Sequence, residues 1–159
     1  MAPANAMLEA IPNNIFSKRY RLHQRDKLVG EVDTSVWREQ GSIELEEGTY
    51  WLRREGFCSG DFYLERDGHI VARASKPSVL RNAFEIDLPN RHLTLRKLSP
   101  LNRRFGVFDG DKQIGSVYPL GIFTRRSNID LPADWSLASR IFVFWLASLV
   151  WNRQNAAAS

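Results

Sequence analysis

Three histidines, one cysteine and a few carboxylate clusters are the residues with which this chain could do chemistry. His23, His69 and His92 each lack a second ligand at a metal-binding spacing, which leaves them in strand and turn roles. Cys58, in Gly56-Phe-Cys-Ser-Gly60, reads as an exposed thiol with no recognisable activating base. A single cysteine makes no internal disulfide, as suits a reducing cytoplasm. Glu46, Glu47, Asp109 and Asp111 fall at turns, where acids are common. Asp109-Gly-Asp111 supplies too few oxygens for a calcium loop, and no glycine-rich phosphate loop leads from a strand into a helix. The expectation is a protein that is not an enzyme and carries no metal and no cofactor.

Cations are the more suggestive set. Residues 31–66 hold nine acids and four bases, whereas residues 91–126 hold eight bases and two acids. The pairs Arg53-Arg54 and Arg96-Lys97 lie 43 residues apart, and Arg103-Arg104 and Arg125-Arg126 follow in or beside later connections. Gathered at one end of a domain, these eight residues would attract anionic phospholipid headgroups, at about 1 kcal/mol per residue near the surface. Nucleic acid would feel the same charge, but the sequence shows no aromatic platform interleaved with it. The competing reading is a solvated surface on a protein-interaction or structural barrel without a ligand of its own.

These residues must be held by strands. Five hairpins of alternating pattern run from Tyr20 to Val117, with turns near Arg25-Asp26-Lys27, Glu47-Gly48, Asp67-Gly68, Pro89-Asn90 and Asp109-Gly110-Asp111. Asp-Gly between alternating strands is a strong type I′ signal. One more strand is expected within Arg125–Leu131. Ile43-Glu-Leu, Ile86-Asp-Leu-Pro and Ile129-Asp-Leu-Pro recur every 43 residues. Such a period marks a repeat architecture, here three units of four strands, with the last strand of the third unit replaced by a helix.

That helix is the run Ile141–Trp151, expected over about 134–153 with Asp134 as N-cap. Only Ser136, Arg140, Ser148 and Asn152 draw a thin polar line along it. A helix apolar on nearly every side is enclosed by protein or by lipid. The 17 residues Trp135–Trp151 span roughly 25 Å, short of a bilayer's hydrocarbon, which favours protein. Twelve strands close into a barrel with an interior hole, and a helix about 10–12 Å across fills it. A β-trefoil is the rival, although it has no room inside for an apolar helix.

The sequence resembles the tubby C-terminal-like superfamily, which includes the phospholipid scramblases and the plant LURP-one-related proteins. The likeness rests on Phe62-Tyr-Leu-Glu-Arg-Asp-Gly-His-Ile-Val, Phe105-Gly-Val-Phe-Asp-Gly-Asp-Lys-Gln-Ile-Gly and Leu131-Pro-Ala-Asp-Trp before the helix. It covers roughly Phe16–Arg153, and it implies a closed antiparallel barrel of about 11–12 strands around a hydrophobic C-terminal helix. It permits lipid binding without assigning it. The domain reading is a loose lead-in over 1–15, one barrel over 16–153 and a disordered tail over 154–159. Met1–Asn14 lacks the basic-then-apolar order of a secretory leader, so the expected location is cytoplasmic, peripheral at a membrane if lipid is bound.

Overall fold

The computed structural model describes residues 4–35, 40–56, 60–76, 82–121 and 124–158. Twelve strands alternate up and down: β1 (Asn5–Pro12), β2 (Arg19–Gln24), β3 (Lys27–Ser35), β4 (Gln40–Leu45), β5 (Gly48–Arg54), β6 (Phe62–Arg66), β7 (His69–Ser75), β8 (Ala83–Leu88), β9 (Arg91–Lys97), β10 (Phe105–Asp109), β11 (Lys112–Pro119) and β12 (Ser127–Pro132). Each pairs antiparallel with its neighbours in sequence, and β1 pairs with β12 to close the barrel. Closure leaves no unpaired edge, the usual liability of a β-sheet.

The helix α1 (Leu137–Ala157) fills the bore. It enters from the end of β12 and runs back to the opposite mouth, where the Trp151 indole N–H donates to the Arg103 carbonyl at 2.9 Å. All ten residues 141–150 are buried, and Trp145 and Leu146 are fully enclosed. Trp145 meets Phe62 edge-on at 5.7 Å and stacks on Phe142 at 6.0 Å. Burying such side chains stabilises by roughly 1.5–3 kcal/mol each, so the helix is the barrel's core.

The threefold period is present in space. Ile43, Ile86 and Ile129 all point inward with no exposure, on β4, β8 and β12, and pair with Tyr50, Leu93 and Leu8. Three hairpins carry a bulge at equivalent places, after Leu22, Leu64 and Val107. At Asp67-Gly68 both turn residues have positive φ, 52° and 76°, as a type I′ turn requires.

Three expectations need correction. Residues 1–15 are not merely a lead-in, because β1 lies within them. Its Leu8 and Ala10 are buried, and the missing twelfth strand is supplied by this N-terminal segment, not replaced by the helix. Alanine at two strand positions had concealed the alternation. The helix starts at Leu137, not at 134: the Ser136 hydroxyl accepts from the Ser139 N–H at 3.1 Å, while Asp134 pairs with Arg91 at 3.5 Å. Nor do residues 154–157 belong to a disordered tail, since α1 continues through Ala157; Ser159 lies outside the described residues. Alanine has the highest helix propensity, which favours that extension.

A candidate anion-binding rim

With strands alternating in direction, every second connection lies at the same mouth of the barrel. The end where α1 emerges carries six connections, of which β3–β4 and β7–β8 lie largely outside the described residues; the other four are β1–β2, β5–β6, β9–β10 and β11–β12. Each is closed by a backbone hydrogen bond six residues long: Asn13 to Arg19 (3.0 Å), Glu55 to Asp61 (2.8 Å), Leu98 to Arg104 (3.0 Å) and Leu120 to Arg126 (2.9 Å). All eight basic residues singled out from the sequence stand at or beside these loops. Inward Leu52 and Leu95 set the strand parity that turns Arg53 and Arg96 outward.

The eight do not form one patch. Around the barrel the order β2-β1-β12-β11-β10-β9 makes three of the loops consecutive, so Arg96, Lys97, Arg103, Arg104, Arg125 and Arg126 share one half of the rim. Arg53 and Arg54 stand on the other half, at the end of β5. There Arg53 donates to Glu65 at 2.6 Å, and this hydrogen bond holds the Glu65 carboxyl below its usual range. Arg73 bonds to Asp61, and the Tyr63 hydroxyl donates to Glu55 at 2.8 Å, which raises the phenol's pKa. On that half Arg53 and Arg73 are thus each paired with a carboxylate.

The first half is wired differently. Arg96 lies 4.0 Å over the Phe108 ring, Arg104 4.0 Å over Tyr118, and Arg103 5.6 Å over Trp151. Among the described residues no carboxylate pairs with any of the three. Stacking on a ring leaves the guanidinium edge and its donors outward. Arg125 donates to the Ile15 carbonyl at 3.1 Å and to the Tyr20 hydroxyl at 2.9 Å, which ties the β1–β2 loop to the β11–β12 loop. Arg126 approaches Glu9 only at 3.7 Å.

Exposed apolar side chains crowd the same half. Leu101 is 96% exposed, Phe16 86% and Ile15 75%, with Leu98 and Leu120 also exposed. These lie in the β9–β10, β1–β2 and β11–β12 loops, among the cations. Their signal in the sequence is an apolar residue inside an otherwise polar connection, which the charge pattern alone does not reveal. Phe57, Cys58, Ile122 and Phe123 lie outside the described residues. The C-terminus of α1 is here as well, and cations near it complement the helix dipole. That accounts for arginines beside Trp151 but not for leucine and phenylalanine turned to water.

The other candidate chemistry disperses. His69 is exposed at a turn. His92 sits on the outer surface between Asp87 (2.7 Å) and Glu85 (2.9 Å), and the hydrogen bond to Asp87 raises its pKa. Among the described residues no group of three or more His, Cys, Asp and Glu could hold a metal, and no helix is long and apolar enough to cross a membrane. No protein-family profile, no curated protein and no solved structure matches this chain.

Proposed function

We propose that the protein is a non-enzymatic module that docks one half of its basic rim on an anionic phospholipid surface, as a peripheral protein of the cytoplasmic face. The observation that carries this is the coincidence of Ile15, Phe16 and Leu101, each at least three-quarters exposed, with arginines that have no carboxylate partner among the described residues. Coulombic attraction brings such a surface to a charged bilayer, and apolar tips gain further by leaving water at the interface. A solvated surface needs the charges but not the tips. Membership of the tubby-like group is part of the same proposal, supported by a barrel that encloses its C-terminal helix.

A second reading has an observation of its own. Trp51 and Ile70 are 58% and 57% exposed on the outer face of β5 and β7, and both pair with Glu65 across β6. This apolar pair, on the side of the barrel where Arg53 pairs with Glu65, suits contact with a protein partner.

Co-sedimentation with vesicles tests the first reading. The native chain should pellet with phosphatidylserine-containing vesicles and not with phosphatidylcholine alone. Phe16→Ser with Leu101→Ser should weaken binding by more than tenfold, since each buried side chain is worth roughly 1.5–3 kcal/mol, with the melting temperature unchanged. If that double variant binds as the native chain does, the tips are not inserted and the Trp51 side becomes the leading candidate.

A further inference from the structure

A cavity of about 150 Å³ opens at this mouth between the last turns of α1 and the β11–β12 loop. Arg103 and Arg125 flank it, Ser127 and Thr124 stand on the loop side, and Asn152 and Asn155 reach in from the helix. Among the described residues no carboxylate lines it. The other described cavities each contain at least one acid: Glu9 with Asp26, Glu31 with Asp33 and Glu44, and Asp33 alone beside Arg53. The Arg103 guanidinium is held against Trp151 with no acceptor for its donors among the described residues. Ser127 is 2% exposed, and no described residue bonds its hydroxyl. The Ser148 hydroxyl, by contrast, is committed to the Trp145 carbonyl at 2.6 Å.

We propose that this cavity binds one terminal phosphate group, carried by a phosphomonoester headgroup or free as inorganic phosphate. The residues that line the space carry the Arg103 guanidinium, the Arg125 guanidinium that also donates to the Ile15 carbonyl and the Tyr20 hydroxyl, two hydroxyls and two amides. A group with oxygens on every side and one bond to its carrier is matched to that donor set. In its lipid form the proposal rests on the membrane reading above; in its free form it does not.

The test uses the full chain and the variant Asn152→Leu with Ser127→Ala, which fills and dries the cavity without removing a rim charge. Calorimetric titration with inorganic phosphate should show one saturable site in the native chain, weakened at least tenfold in the variant. On vesicles of matched total charge the native chain should prefer phosphatidic acid, with its terminal phosphate, to phosphatidylglycerol, whose phosphate is capped. The variant should lose that preference and keep native binding to phosphatidylglycerol. Saturable phosphate binding without vesicle binding would uphold the cavity as a free-phosphate site while sinking the membrane reading. Equal phosphate affinity in native and variant chains, or no phosphate binding and no preference for phosphatidic acid, would overturn the proposal. Asn155→Leu, further out on the helix, gives the same comparison if the double variant does not fold.

Discussion

Arg53 and Arg96 occupy the same position of a repeated hairpin, 43 residues apart, on strands β5 and β9. Arg53 pairs across the ladder with Tyr63, and Arg96 with Gly106. Their surroundings diverge at one further equivalent position, where β6 has Glu65 and β10 has Phe108. Glu65 neutralises Arg53. Phe108 lies beneath Arg96 with its ring folded over Gly106, where an added Cβ would stand 2.7 Å from the Phe108 ring. The repeat fixes where an arginine stands, and the neighbouring strand decides whether its charge is spent within the protein or offered outward. Duplication of a scaffold thus need not duplicate a site.

Both halves of the rim lean on one helix, so the comparison breaks first if the helix is damaged. Trp145→Ala removes the fully buried indole that touches Phe62 and Phe142. It should cost about 3–5 kcal/mol, read as a lower urea midpoint.

Arg140→Met should sharpen the comparison by firming the frame without touching either half. Arg140 is 4% exposed, its Nε and Nη1 have no hydrogen-bond partner among the described residues, and burial pushes its pKa down. Removing an uncompensated buried charge should raise stability by about 1–3 kcal/mol, again in urea, with vesicle binding unchanged.

A smaller effect comes from exchanging the two environments. Phe108→Glu should pair with Arg96 as Glu65 pairs with Arg53, lowering anionic-vesicle affinity by about 1 kcal/mol, or roughly fivefold. Glu65→Gln should release Arg53 and raise affinity by less than that. Equal responses to the two substitutions would mean that the halves are not distinct.

The frame was largely legible in the sequence because it is written in long-range pattern. Ile43, Ile86 and Ile129 keep one spacing, and the alternation of five hairpins fixes which side chains face α1. The strand β1 escaped because its inward positions include Ala10, too small to mark a face, and because its partner β12 lies at the other end of the chain. The site was half legible. The repeat and strand parity set Arg53 and Arg96 at one mouth, facing outward, with the later arginine pairs in or beside following connections, but pairing with Glu65 or stacking on Phe108 depends on cross-strand register, which composition does not carry. The cavity among Arg103, Arg125 and Asn152 joins segments far apart in sequence, and no local motif announces it.

The central claim is that only one half of the rim meets the membrane, and removing equal charge from each half tests it directly. Vesicle partitioning should be measured for Arg96→Gln with Arg104→Gln, and for Arg53→Gln with Arg54→Gln, at low and physiological salt. The first pair should lose about 2 kcal/mol of binding at low salt, roughly 30-fold, and the second less than threefold. Native binding should fall steeply as the Debye length shortens toward about 8 Å, with melting temperatures barely moved, since exposed charges contribute little to folding. Equal losses from the two pairs, or no anionic-vesicle binding by the native chain at low salt, would contradict the account.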